Sequence, residues 1–98
     1  MSNSELNFLA TLESIVVDRL ENPSQESYTA GLAALGPKRI AQKVGEEAVE
    51  LALASVTGDR NEIVNEAADL LFHLIVLLRN QDVALADVVD ELRGRHTD

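Results

Sequence analysis

The chain has 98 residues, enough for one domain; 46% are hydrophobic and none is cysteine, which excludes a disulfide framework, a thiolate metal site and a cysteine nucleophile. A formal charge of −9 argues against nucleic acid or an anionic membrane as partner. The longest apolar stretch, Leu70 to Leu78, is broken by His73 and falls short of the ~20 residues that span a bilayer.

The start, MSNSELNFLATLES, lacks the basic, then apolar, pattern of a signal peptide, so a cytoplasmic protein is expected. The first helix is expected to begin near Ser4, a good N-cap, and to run to about Leu20, with Leu6, Leu9, Leu12, Val16 and Leu20 at helical spacing. ENPS at 21–24 stops it. Ser27 then caps a short helix from Tyr28 to Leu35, ended by Gly36. Pro37 suits the first turn of a third helix, which continues to about Thr57, where Gly58 gives a left-handed stop. Asp59 caps a fourth over 60–79, whose 70–78 part is apolar almost all round and so is expected to be packed on every side. Leu85, Val88, Val89 and Leu92 mark a last amphipathic helix. No alternating run signals a strand. The expected fold is all-α, a single domain over 1–98 built as a bundle of four or five helices. So short a helical chain gains core by association, so a homo-oligomer is expected.

Two stretches place acids where a core is expected: GEEAVELA at 45–52 and NEAADLLFHL at 65–74. At about 100° per residue, the third helix has one apolar stripe of Ile40, Val44, Ala48, Leu51 and Ser55 and another of Val49, Leu53 and Val56. Lys43, Glu46, Glu47, Glu50 and Ala54 lie between them. On the fourth helix Glu62, Glu66, Asp69, His73, Val76 and Asn80 share a line bordered by Ile63, Leu70, Leu74 and Leu77. If the TGDR turn folds the two helices antiparallel, Glu47 and Glu50 face Glu66 and Asp69 across a narrow gap. Four such carboxylates among Leu, Val and Ala repel one another at a cost on the order of several kcal/mol unless a cation joins them. All-oxygen ligation favours Mg²⁺ or Mn²⁺, and Mg²⁺ completes its shell with water and substrate phosphate. A di-iron bundle would want Glu-x-x-His pairs, which this spacing does not supply. The plainer alternative is that acids three and four apart form a solvated helix face.

The acids at 46, 47 and 50, followed at 66 and 69 by Glu and Asp, resemble the metal-binding signature of the MazG-type all-α nucleotide pyrophosphohydrolases. Within that superfamily SYTAGL at 27–32, IAQKVGEEAVELALA at 40–54, EAADLLFHLIVLL at 66–78 and the terminal Arg95-His96 resemble the phosphoribosyl-ATP pyrophosphohydrolases of histidine biosynthesis. The resemblance implies a MazG-like bundle whose core is completed in a homodimer. It also implies Mg²⁺-dependent hydrolysis of phosphoribosyl-ATP, a small-molecule nucleotide, to phosphoribosyl-AMP and pyrophosphate in the cytoplasm. The stand-alone form, not fused to the cyclohydrolase that acts next, is expected.

Carried over by residue, the resemblance implies Glu47, Glu50, Glu66 and Asp69 as metal ligands and Glu46 as the signature's other acid. Glu46 or Glu47 is the candidate general base for a metal-activated water. Lys38, Arg39 and Lys43 are candidates for phosphate contacts; Lys43 is equally explained by an ion pair with Glu46 or Glu47 at helical spacing. Ser27, Tyr28 and Thr29 match a block on the substrate side, although a helix cap and a core tyrosine account for them too. His73 reads as a hydrogen-bonded core residue. Arg95, a further substrate-binding candidate, and His96 would otherwise be solvated tail. Two other functions fit the acids: a housekeeping pyrophosphatase acting on dNTPs, separated by a substrate panel, and a non-catalytic helical interaction module, separated by calorimetry with Mg²⁺ or Mn²⁺.

Overall fold

The computed structural model describes residues 3–97; positions 1, 2 and 98 of the expected single domain lie outside the described residues. Five helices follow in order: α1 (Asn3–Glu21), α2 (Tyr28–Ala34), α3 (Pro37–Thr57), α4 (Arg60–Asn80) and α5 (Leu85–Arg95), with no strand among the described residues. Most boundaries follow from local chemistry. Ser27 accepts a hydrogen bond from the Ala30 amide at 3.1 Å, capping α2. Gly36, at φ +100°, turns the chain into α3, where Pro37 takes the first position. Gly58 ends α3 at φ +78°, and Asp59 accepts from the amides of Asn61 at 2.9 Å and Glu62 at 3.2 Å to start α4. Ser4 is a correction: α1 already includes Asn3, so Ser4 lies within its first turn rather than before it.

The two-residue link between α3 and α4 makes them an antiparallel hairpin, the most extensive helix pair in the chain. The core gathers at the end of that hairpin away from the link, where α1 and α2 pack on it: Val16, Leu32, Ile40, Ile75 and Val76 are buried, and Leu12, Leu20, Phe72, Leu77 and Leu85 close around them. Full burial of each such aliphatic side chain is worth about 1.5–3 kcal/mol.

One further expectation is corrected: Leu71 is exposed, so the 70–78 stretch is not packed on every side within one chain; Val49, Leu53, Val56 and Val64 are exposed as well. The cause is coverage: α1 and α2 pack at the far end of the hairpin, and among the described residues these exposed side chains on its half nearest the link lie under no other helix.

A connection that helical spacing does not reveal ties the last helix down. Glu13 Oε2 on α1 accepts from Arg79 Nε at 3.0 Å and from the Leu85 backbone amide at 2.7 Å. One carboxylate thereby joins α1, the end of α4 and the amide-rich start of α5, where negative charge is favoured. Because α5 buries no residue fully, this pin matters more to it than packing does. Glu13→Ala is expected to lower the unfolding free energy by about 1–3 kcal/mol, since it strips a charged partner from two donors at once. Urea unfolding reads this; an unchanged midpoint would rule out the pin.

Candidate active site

The acid cluster sits midway along the α3–α4 hairpin, just beyond the aliphatic core. Glu47 faces the fourth helix because it lies seven residues, two turns, after the fully buried Ile40. Glu66 and Asp69, one turn apart on α4, meet it from the other side. One carboxylate oxygen from each of Glu47, Glu66 and Asp69 lies within 4.8 Å of the others. Glu47 is buried, and Glu66 Oε2 is buried without any hydrogen-bond partner among the described residues.

A buried carboxylate oxygen with nothing to accept from is costly. Three acids brought together compound that cost. The arrangement fits a hard divalent cation on two counts. The donor set is all oxygen. Oxygens bound to one Mg²⁺ would lie about 3.0–4.2 Å apart, so three already within 4.8 Å of one another need close only slightly. Zn²⁺ and iron sites would call for imidazole or thiolate donors, and the nearby imidazole is committed elsewhere.

One cation of the chain itself reaches the cluster. Lys43 Nζ lies 3.2 Å from Glu47 Oε1, one turn back on α3. The hydrogen bond to Glu47 raises the Lys43 pKa above its ordinary 10.5; burial opposes the rise, and Tyr28, Glu47 and Glu46 add to it through their charge. A single ammonium against three carboxylates leaves the site negative.

The remaining sequence candidates divide. Glu50 is exposed and does not belong to the three-acid group; it sits one turn beyond Glu47 toward the uncovered end of the hairpin. Glu46 is also exposed and is held by Arg39 Nη1 at 3.8 Å and by Gln42 Nε2, which donates at 3.3 Å. The face count grouped these acids with Glu47, but of the three only Glu47 is buried, and only it shares the group with Glu66 and Asp69. Lys38 is exposed and Arg39 half-buried, a little over two turns before Glu47 on the same helix. Ser27 serves as a cap and Thr29 is buried, but Tyr28 is 55% exposed, which does not fit the alternative of a core tyrosine. Arg95 pairs with Glu91 at 3.1 Å on the exposed last helix, and His96 is exposed.

His73 is buried and hydrogen-bonded, as expected of it. Its partners, the Tyr28 hydroxyl and the Asp69 carbonyl, are each 2.8 Å away. The first of these bonds joins α2 to α4 across 45 positions, a separation at which no spacing rule operates. The second has a signal: four residues separate Asp69 from His73, one helical turn.

The sequence profile of the family described as Phosphoribosyl-ATP pyrophosphohydrolase matches residues 9–96. The chain is similar to the histidine biosynthesis bifunctional protein HisIE of Salmonella typhi, 55% identical over 89 residues that make up 91% of this chain and 44% of that one. The HisIE protein of Photobacterium profundum is 53% identical over 91 residues, covering 93% and 44% of the two chains. That of Vibrio cholerae is 50% identical over 93 residues, covering 95% and 44%. The chain therefore spans less than half the length of these bifunctional relatives. No helix among the described residues is long and apolar enough to cross a membrane.

Proposed function

The chain belongs to the phosphoribosyl-ATP pyrophosphohydrolase family, and we propose on that premise that it hydrolyses phosphoribosyl-ATP to phosphoribosyl-AMP and pyrophosphate in histidine biosynthesis. The observation that carries the reading is the meeting of Glu47, Glu66 and Asp69 oxygens beside the unsatisfied Glu66 Oε2. Those three residues would hold a Mg²⁺, or a Mn²⁺ in its place, with the exposed Glu50 one turn further along α3 as a further candidate ligand.

When bound, the ion supplies charge neutralisation for the triphosphate and lowers the pKa of water at the site. The chain does the rest. Water attacks in line at a phosphorus of the α–β bridge, and a Glu47 carboxylate oxygen accepts its proton. Glu46, held by Arg39 and Gln42, is less well placed for that task. Lys43 keeps Glu47 oriented through their 3.2 Å contact and, with Lys38 and Arg39, offers positive charge to the phosphates. Ser27, Tyr28 and Thr29 line the substrate side, with the exposed Tyr28 ring as a stacking surface for a base. Arg95 reaches substrate only by leaving Glu91.

Asp69→Ala is expected to abolish pyrophosphate release while the helical circular dichroism stays near wild type. A panel of phosphoribosyl-ATP, dCTP, dUTP and the other dNTPs tests the substrate. Preference for a dNTP would move the chain to the housekeeping pyrophosphatases, and near-normal turnover by Asp69→Ala would remove the site.

The exposed Val49, Leu53, Val56, Val64 and Leu71 along the uncovered half of the hairpin support a homodimer that buries them. Leu53→Asp is expected to shift the chain to monomer in sedimentation; a wild type already monomeric at micromolar concentration contradicts the dimer.

A further inference from the structure

Among the described residues His73 is the buried titratable side chain to which the chemistry above gives no task. Its surroundings define it closely. Nδ1 lies 2.8 Å from the Asp69 backbone oxygen, which only accepts, so Nδ1 carries the proton and donates it there. In an imidazole with a single N–H, Nε2 then accepts from the Tyr28 hydroxyl, also at 2.8 Å. Both nitrogens are engaged, and the ring is further held edge-on by Phe72 at 5.1 Å and Tyr28 at 5.7 Å between centroids. Glu47 Oε1 stands 3.9 Å from Nδ1, beyond a direct hydrogen bond but near the proton-bearing nitrogen. The ring thus separates the half-exposed Tyr28 from the three-acid cluster and touches both.

We propose that His73 is a positioning residue: fixed as its Nδ1–H tautomer between Tyr28 and the Asp69 carbonyl, it keeps Glu47 and Asp69 in the register at which they face one ion with Glu66. In this role it meets neither metal nor substrate. Outer groups of this kind tune how tightly the inner carboxylates hold a cation, typically by ~10–100-fold in affinity. Tyr28 acquires a second task, since the hydroxyl that marks the substrate side also fixes the imidazole. The inference rests on the metal-site reading above.

The test uses the full chain and two readouts. In nitrogen NMR spectra of the metal-free protein, with His96 identified through His96→Asn, His73 is expected to be protonated at Nδ1 and bare at Nε2, and Tyr28→Phe to move the Nε2 resonance. A ring averaging between tautomers, or an Nε2 resonance indifferent to Tyr28→Phe, overturns the assignment. In calorimetry with Mn²⁺, His73→Leu is expected to bind roughly tenfold or more weakly. His73→Asn, whose amide keeps a donor near the Nδ1 position, is expected to recover most of that loss. Equal Mn²⁺ affinity in wild type and His73→Leu overturns the positioning role. A wild type that binds no Mn²⁺ overturns the metal site on which the role depends, while the NMR arm still decides the hydrogen bonding of His73.

Discussion

Glu66→Gln is expected to cut pyrophosphate release by more than about 100-fold while making the metal-free protein more stable. The two effects have one cause. Glu66 Oε2 is buried without a partner, and its carboxylate lies among those of Glu47 and Asp69. In the absence of a cation the wild type bears the repulsion and the unsatisfied oxygen. A glutamine keeps the shape, removes one charge and turns an acceptor into an N–H donor for a neighbouring carboxylate. Relief of about 1–3 kcal/mol follows, or roughly 4–8 °C in Tm for each kcal/mol in a domain of this size. The same change takes an anionic ligand from the ion. Wild type should gain about 2.7 kcal/mol at a Mg²⁺ concentration of 100 Kd, and the variant little. A variant that melts lower than wild type without metal, or that keeps its activity, would refute this account of Glu66.

Lys43→Met should act in the opposite sense on stability. Glu47 is buried and, among the described residues of α3, Lys43 is its cationic partner, at 3.2 Å. Removing the ammonium leaves the carboxylate more exposed to its acidic neighbours. Breaking a fully buried pair costs about 3–5 kcal/mol. The Lys43 side chain keeps 23% of its surface in water, so the expected loss is discounted to about 1–3 kcal/mol. The pH dependence has a definite sign. Glu47 raises the pKa of Lys43 in the folded state above 10.5. The stability Lys43 contributes is therefore fully present below 10.5, the unfolded value, and fades as pH rises through the higher folded one. Urea unfolding should show wild type and Lys43→Met separated at neutral pH and converging in strong alkali. Loss of a nearby positive charge should also tighten Mg²⁺ binding, so the ion stabilises the variant more than wild type. Turnover should still fall, chiefly through KM, because a phosphate contact is lost. A constant gap between the two proteins across that pH range would show that Lys43 acts by packing alone.

How far the sequence revealed this molecule depended on how local the determining physics was. Ser27, Pro37, Gly58 and Asp59 act within a few residues of themselves, and the helix boundaries they imply are those observed. Glu47, Glu66 and Asp69 were found by counting faces across a two-residue link, which leaves the hairpin little freedom in register. The same count placed Glu46 and Glu50 beside them, because periodicity ranks directions around an axis and does not measure the width of the gap they must enter. It likewise marked Val49, Leu53 and Val56 as apolar without saying what covers them, and among the described residues they stay exposed. The Glu13 pin and the Tyr28–His73 bond join residues 66, 72 and 45 positions apart. Such pairings arise from tertiary packing, so no local pattern announces them.

The most direct test of the central claim is pyrophosphate release from phosphoribosyl-ATP by the wild-type chain, first stripped with a chelator and then titrated with Mg²⁺. The account predicts no turnover without the ion, restoration on adding it, and a rise in Tm over the same concentration range in wild type that is absent from Glu66→Gln. Release that continues undiminished in the stripped protein would contradict it.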